Sequence, residues 1–219
     1  MLVRVVVGLI VTLSVVSGCA GLSEDQCQIL NWEAEGRSAG QYGGGPTSYS
    51  RLASQCSRYA IVPDYAAFER GRQQGLVRFC TPEGAYIAGL SGRGSTTQCV
   101  GADPSLTLIH QTALNYSEAE RELDRARNAL ERSIDDRNFA RQEARSIRAR
   151  LRKEEDPDKI DDLERELRYQ LNRADDYEAD EVRLLFDIAD RERDLSRAQF
   201  DLDRVRAEFG LGFGPRPFF

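Results

Sequence analysis

Between Asp103 and Phe209, apolar residues return every seven positions. The first run comprises Ile109, Tyr116, Leu123, Leu130, Ala144 and Leu151; the second comprises Ile160, Leu167, Ala174, Ile188, Leu195, Leu202 and Phe209. A seven-residue apolar period marks helices that pair along a continuous seam. The runs meet at Glu154-Glu155-Asp156-Pro157, where the proline removes a backbone donor and clashes with a continuing helix. The pattern therefore predicts two long helices, about 104–154 and 157–209, folded into an antiparallel coiled-coil hairpin. At a rise of about 1.5 Å per residue each arm is about 75 Å long. Asp103-Pro104 and Asp156-Pro157 each join a capping carboxylate to a proline suited to the first helical position. Equal arms set Leu151 near Ile160, Leu123 near Ile188 and Ile109 near Leu202, within one helical turn.

Arg137, Glu181 and Arg191 interrupt the seam, and polar residues at such positions fix alignment at a cost in stability. The first arm ends in Arg145, Arg148, Arg150, Arg152 and Lys153, and the second begins with Asp158, Asp161, Asp162, Glu164 and Glu166. Cations at a helix C-terminus and anions at an N-terminus each contribute about 0.3 to 1 kcal/mol. The two clusters also face each other across the expected turn. That pairing argues against Arg137 to Lys153 as a patch for nucleic acid or anionic lipid.

Shorter patterns precede the hairpin. Ser23 with Gln26 resembles a capping box and opens a helix carrying Cys27, Ile29, Leu30 and Trp32, which fades near Gly43-Gly44-Gly45-Pro46. A second helix is expected from Thr47 or Ser48 to Arg58, and a third after Pro63-Asp64, exposing Tyr65 and Phe68 along one face and stopping near Gly75. Thr81-Pro82-Glu83 caps a fourth with Tyr86, Ile87 and Leu90. Gly36 and Gly40 stand four apart in the first of these helices, and Gly71 and Gly75 in the third, each pair preceded by an aromatic, Trp32 or Phe68. An interior helical glycine costs about 1 kcal/mol relative to alanine, so something must offset it. Close approach of helix backbones is the simplest account; Gly40 and Gly75 would equally serve as C-terminal caps. A ligand groove along Trp32, Gly36, Gly40, Phe68, Gly71 and Gly75 is the candidate binding face. The fold class is mainly α, a small disulfide-stapled cluster of short helices followed by the long antiparallel hairpin.

Met1 to Gly18 reads as a leader, with Arg4 before the apolar run Val5 to Val16, which is too short to span a bilayer comfortably. Val16-Ser17-Gly18-Cys19 resembles a bacterial lipobox. The resemblance implies a mature N-terminus at Cys19 carrying a diacylglyceryl thioether and an amide-linked chain such as palmitate, and several acyl chains hold a protein firmly in a membrane. Ala20 resembles the outer-membrane rather than the inner-membrane sorting pattern, which places the protein in the cell envelope facing the periplasm. Cys27, Cys56, Cys80 and Cys99 remain, an even number suited to an oxidising compartment. Four cysteines allow three pairings, among which the nearest-neighbour one, Cys27 with Cys56 and Cys80 with Cys99, is favoured. Without C-x-x-C or histidine partners at suitable spacing no metal site is expected. The domain plan is then 1–18 leader, 19–102 lipidated helical module, 103–209 hairpin and 210–219 tail. Phe213, Phe218 and Phe219 in the tail either dock back on the module, stay disordered or form a hook for a partner.

Formal net charge is -6 with 30% charged residues, and the mean hydropathy of -0.51 and pI near 5.1 argue against nucleic acid as a partner. His110 is the one histidine and lies beside the seam as a packing or surface residue. No G-x-S-x-G, H-E-x-x-H or Walker loop occurs, and Gly89-Leu90-Ser91-Gly92-Arg93-Gly94 does not join a buried strand to a helix. Neither catalysis nor a cofactor is expected. The lipobox together with Trp32, Gly36, Gly40, Cys56, Asp64, Gly71, Gly75-Leu76, Phe79-Cys80, Gly89 and Cys99 resembles the domain of unknown function 2799 family of proteobacterial envelope lipoproteins, over about Gly18 to Tyr116. An acidic residue often precedes the second glycine in that family, where this chain has Ala39. The resemblance implies no activity and no catalytic residue. The expected role is a non-enzymatic, membrane-anchored envelope lipoprotein acting as a periplasmic scaffold, its hairpin meeting an envelope protein or a second copy. The alternative is a module whose glycine- and aromatic-rich helices bind glycan, peptidoglycan or lipid.

Overall fold

The computed structural model describes residues 21–101 and 103–212. They form seven α-helices and one short 3-10 helix, with no strand among the described residues. The helices are α1 (Glu24–Gln28), α2 (Trp32–Gln41), α3 (Thr47–Ser57), α4 (Tyr65–Phe79), α5 (Pro82–Leu90), α6 (Ser105–Leu151) and α7 (Pro157–Glu208), with the 3-10 turn Thr96–Gln98 between α5 and α6. The leader, Cys19 and the tail phenylalanines Phe213, Phe218 and Phe219 lie outside the described residues.

Local signals set most boundaries. Ser23 and Gln26 close a reciprocal capping box on α1, and the side chains of Asp64 and Thr81 accept from the backbone N–H groups of Ala67 and Gly84. Two expected boundaries are corrected. The first helix is two, because Asn31 takes an extended conformation and caps a new start by accepting from the Ala34 N–H at 3.0 Å. The third helix does not stop near Gly75 but runs to Phe79, so Gly75 is interior; Gly40 is likewise inside α2 rather than a cap. Phe68 is fully buried, not exposed beside Tyr65.

Both nearest-neighbour disulfides form. Cys27–Cys56 ties α1 to α3, and Cys80–Cys99 ties the end of α4 to the turn before α6. Each crosslink restrains the unfolded chain by about 3 kcal/mol in the loop-entropy picture. Around the first bridge Trp32, Phe68, Leu52 and Tyr49 make one core; around the second Phe79, Leu76 and Ala88 make another. A third cluster joins Ala85 of α5 to Leu106 and Ile109 of α6 and Val205 of α7, with Phe209 and Leu211 packed on it. Both ends of the hairpin are thereby fixed to the module. Leu211 is packed on this cluster, while the docking expected of the tail phenylalanines falls outside the described residues.

The hairpin arms have 47 and 52 residues, about 70 and 78 Å at helical rise. Asp156 caps α7 as expected, accepting from the Asp158 N–H at 3.1 Å, whereas α6 starts one residue late, with Pro104 at the cap position and Asp103 before it accepting from the Ser105 N–H at 2.8 Å. The Ser105 N–H holds the Asp103 carboxyl below the usual carboxylate range. The expected register holds to within a turn, since Ile109 shares a core with Val205 and the Ser133 hydroxyl donates to the Tyr177 carbonyl. The heptad count caught one seam position and missed its companion, where Ala126, Ser133, Ala140 and Ile147 are buried at the same spacing. Small residues there let the backbones approach closely enough for the Ser133 bond. The facing charge clusters are joined by Arg150–Glu166 at 3.0 Å, whereas Asp162 and Glu164 pair along α7 with Arg165 and Arg168.

Each seam interruption finds a partner across the hairpin. Arg137 reaches Glu181 across the hairpin at 2.6 Å, and Arg191 reaches Glu122 at 3.3 Å. The Arg137 and Glu181 side chains are 21% and 12% exposed, and Arg137 Nε and Glu181 Oε1 are buried without a hydrogen-bond partner. A half-satisfied ion pair of this kind fixes register more than it adds stability. Arg137→Leu alone is expected to destabilise the chain by about 2 kcal/mol by stranding Glu181. Arg137→Leu with Glu181→Leu restores stability to within about 1 kcal/mol of the parent or above it. Urea unfolding of the three proteins checks this, and a double variant as unstable as the single one contradicts it.

Candidate functional site

The six residues of the candidate binding face come together, but with each other. A Cβ built on Gly36 would lie 1.9 Å from the Phe68 carbonyl oxygen, and one on Gly40 2.1 Å from that of Arg72. Reciprocally, a Cβ on Gly71 would lie 1.9 Å from the Glu33 carbonyl oxygen and one on Gly75 2.3 Å from that of Arg37. Each contact ascends both helices together, so α2 and α4 run parallel, with the bare ridge of each against the backbone of the other. Carbonyl oxygens placed this close to glycine Cα atoms make the weak Cα–H···O contacts of tightly packed helices. The groove read along these glycines is therefore filled by the partner helix. Trp32 and Phe68 are buried beside it, where Tyr49 of α3 packs 5.7 Å from Trp32 and 5.4 Å from Phe68, ring centre to ring centre.

Polar side chains fasten both edges of this pair. On one edge Arg37 Nε donates to Gln74 Oε1 at 3.0 Å, and Gln74 Nε2 donates to Glu33 Oε1 at 3.1 Å. On the other, Arg72, only 7% exposed, donates twice to Glu69 at 2.7 Å and once to Gln98 at 3.2 Å. The guanidinium hydrogen bond holds the Glu69 carboxyl below its ordinary value against the opposing effect of burial, and Gln73 strengthens the shift. Glu69 reciprocally raises Arg72. Such a planar, two-bonded pair satisfies a buried arginine without exposing it to water. The sequence reading passed over this pair. The i, i+3 spacing of Glu69 and Arg72 was the available signal.

His110 is a packing residue, as expected. It is buried, its Nε2–H donates to the Arg93 carbonyl at 2.8 Å, and its ring meets Phe79 edge-on. Beside it a Cβ on Gly89 would come within 2.5 Å of the His110 carbonyl, so α5 and α6 also touch through glycine. Midway along the hairpin an open depression of about 500 Å³ is lined by Arg132, Asp136, Tyr177, Asp180, Arg183 and Asp187. Among the described residues no group of three or more His, Cys, Asp or Glu could hold a metal ion, and no helix is long and apolar enough to cross a membrane.

The glycine contact predicts that Gly36→Ala or Gly71→Ala loses about 2 kcal/mol or more, because the obstacle is backbone and cannot rotate away. Gly45→Ala, whose added methyl meets nothing nearer than 3.7 Å, stays within about 0.5 kcal/mol. Chemical denaturation of the three variants reads the difference. Glu69 predicts a pH effect of definite sign. Its folded carboxyl lies below the ordinary value of 4.5, so the stability it supplies is complete above that value and is lost as pH falls through the lower folded value. Glu69→Gln should flatten this part of the acid limb, which urea titration across the acid range measures.

No curated protein and no solved structure matches the chain. A family model described as a protein of unknown function, DUF2799, matches residues 31–114. The matched segment begins at the Asn31 cap of α2 and ends in the first turns of α6, so it holds both glycine ridges, the Cys80–Cys99 bridge and His110. Residues 31–114 are thus similar to the DUF2799 family of proteins of unknown function.

Proposed function

We propose that this protein is a non-enzymatic envelope lipoprotein, anchored through Cys19 and presenting its hairpin as a docking rod for an envelope protein. The observation that carries the reading is how Leu22, three residues after Cys19 in sequence, is tied to the module that grips the rod. Leu22 is pinned to α3, its N–H donating to Gln55 Oε1 at 2.9 Å and its carbonyl accepting from the Tyr59 hydroxyl at 3.2 Å. Ala20 and Gly21 alone separate that pinned residue from Cys19. A body held this near a lipidated residue sits against the membrane surface. Its rigid arms, clamped to the module by Ala85, Leu106, Ile109 and Val205, then reach about 70 Å from that body. Two disulfides suit an oxidising compartment, and Ala20 after the lipobox cysteine supports outer-membrane sorting.

The test has two arms in one strain. Metabolic labelling with a palmitate analogue should mark the parent chain and leave Cys19→Ala unlabelled and released from membranes. Photoreactive residues placed along α6, α7 and the Glu155 turn should trap one envelope protein. An unlabelled parent removes the anchor; capture restricted to positions on α3 and α4 moves the working surface to the module.

A further inference from the structure

We infer that the end of the module bearing Ile29 and Val62 is its membrane-contacting face, with these two side chains set into the headgroup layer of the lipid surface. The inference rests on the anchored reading and adds the surface by which the body meets the bilayer. Leu22, within about 11 Å of Cys19 at three residues of chain, accepts the Tyr59 hydroxyl through its carbonyl. Three residues beyond Tyr59, Val62 is 87% exposed. Ile29, across the short helix α1 from Leu22 and within about 15 Å of it, is 83% exposed. Tyr65 begins α4 three residues past Val62, half-exposed, its ring 4.9 Å from that of Tyr49. Tyrosines, apolar in body and polar at the tip, favour the lipid–water boundary. The backbone is strained where Val62 is presented. Ala60 has φ 59°, a left-handed conformation that is costly for a residue with a Cβ and persists only where its surroundings enforce it. Around that turn Tyr59 and Ile61 pack inward on the first core, and Val62 is left outside it.

Position in the module selects the occupant. Helix α4 runs from the first core, where Phe68 meets the Cys27–Cys56 bridge and Leu22, to Phe79 and Cys80 in the cores nearer the rod, about 16 Å from Phe68 to Phe79. Ile29 and Val62 adjoin Leu30 and Ile61, which both pack on the first core, so they share the end where the chain starts. Val77 and Val100, also strongly exposed, belong to the other end, beside Leu76 and Cys99. Isolated exposed apolar side chains are ordinary on a protein surface. These two differ in standing beside the point from which the chain runs to Cys19, and acyl chains there bring the bilayer to this end and not to the other. The charges around them are mixed. Glu24 and Asp25 lie in the first turn of α1, Asp64 caps α4, and the Arg58 guanidinium stands 5.9 Å from the Tyr59 ring centre. No basic cluster is present to select anionic headgroups, so the contact draws on apolar insertion and suits a zwitterionic surface.

The acylated full chain, extracted from membranes and reconstituted into phosphatidylcholine vesicles, tests this, with phosphatidylcholine brominated in the upper acyl chain as the quencher. The native indole of Trp32 is buried in the first core, so emission from the parent should be unaffected. Val62→Trp and Ile29→Trp each add an indole that should lose most of its emission to the brominated lipid. The indoles added by Val77→Trp and Val100→Trp should keep theirs. All four positions are exposed, so the circular dichroism spectrum should not change. In cells, a benzophenone residue at position 62 should be crosslinked to lipid. Full emission from the added indole at position 29 or 62 of an acylated chain overturns the inference and leaves the anchor standing. So does equal quenching at position 77 or 100, or capture of a second copy or another protein through position 62. A parent that takes up no palmitate analogue removes the anchored reading and this face with it.

Discussion

The backbone contact between α2 and α4 is the constraint on which the rest of the module depends. Four glycines let two parallel helices approach until each carbonyl occupies the place a methyl would take. That proximity decides where the neighbours go. Trp32 and Phe68, displaced to one side of the ridge, form the pocket into which α3 inserts Tyr49, and the Cys27–Cys56 bridge closes over the same core. On the far side Arg72 is trapped between Glu69 and Gln98, which draws in the 3-10 turn and with it Cys99. Two short parallel helices have little apolar area to share, so packing density at the ridge and the crosslinks do the work a larger core would do.

The same device recurs at lower intensity where the module meets the rod. Gly89 lets α5 lie on α6 beside His110 and Ala113, and Ser117 fastens the contact by donating to the Gly89 carbonyl at 3.2 Å. Val205 and Phe209 return from α7 to the same place. Because both arms are gripped at their base, the hairpin turn at Glu154–Pro157 is the far end of one stiff lever. Along the lever the burial falls on small residues of α6, and the ion pairs Arg137–Glu181, Arg141–Glu178 and Arg127–Glu192 keep the arms from sliding. Exposed pairs contribute little each, so alignment, not strength, is what they supply.

The long elements were legible because their signals are local and repeated. Heptads, two Asp-Pro starts and a proline turn fixed the hairpin, its bounds to within a few residues and its register to within a turn. Asn31 was missed as a cap because the apolar residues on either side of it continue a helical period, and its side-chain bond to Ala34 leaves no mark on periodicity. The glycine pairs were read correctly as a close-packing device, yet their partner was not visible: that Gly36 answers Phe68 and Gly71 answers Glu33 is a tertiary fact with no sequence spacing behind it. The candidate binding face failed for that reason. The companion seam position was overlooked because Ala126, Ser133 and Ala140 carry a weaker apolar signal than the leucines, although their heptad spacing is as regular.

The module owes its shape to backbone contact and grips the rod by the base of its two arms. The most direct measurement is native-state hydrogen exchange of the amides of Gly36, Gly40, Gly71 and Gly75. If the α2–α4 contact organises the module, these amides exchange together and only through its global unfolding, while the hairpin turn frays first. Exchange of the glycine amides through local opening, at a free energy well below that of the rest of the module, would contradict the account.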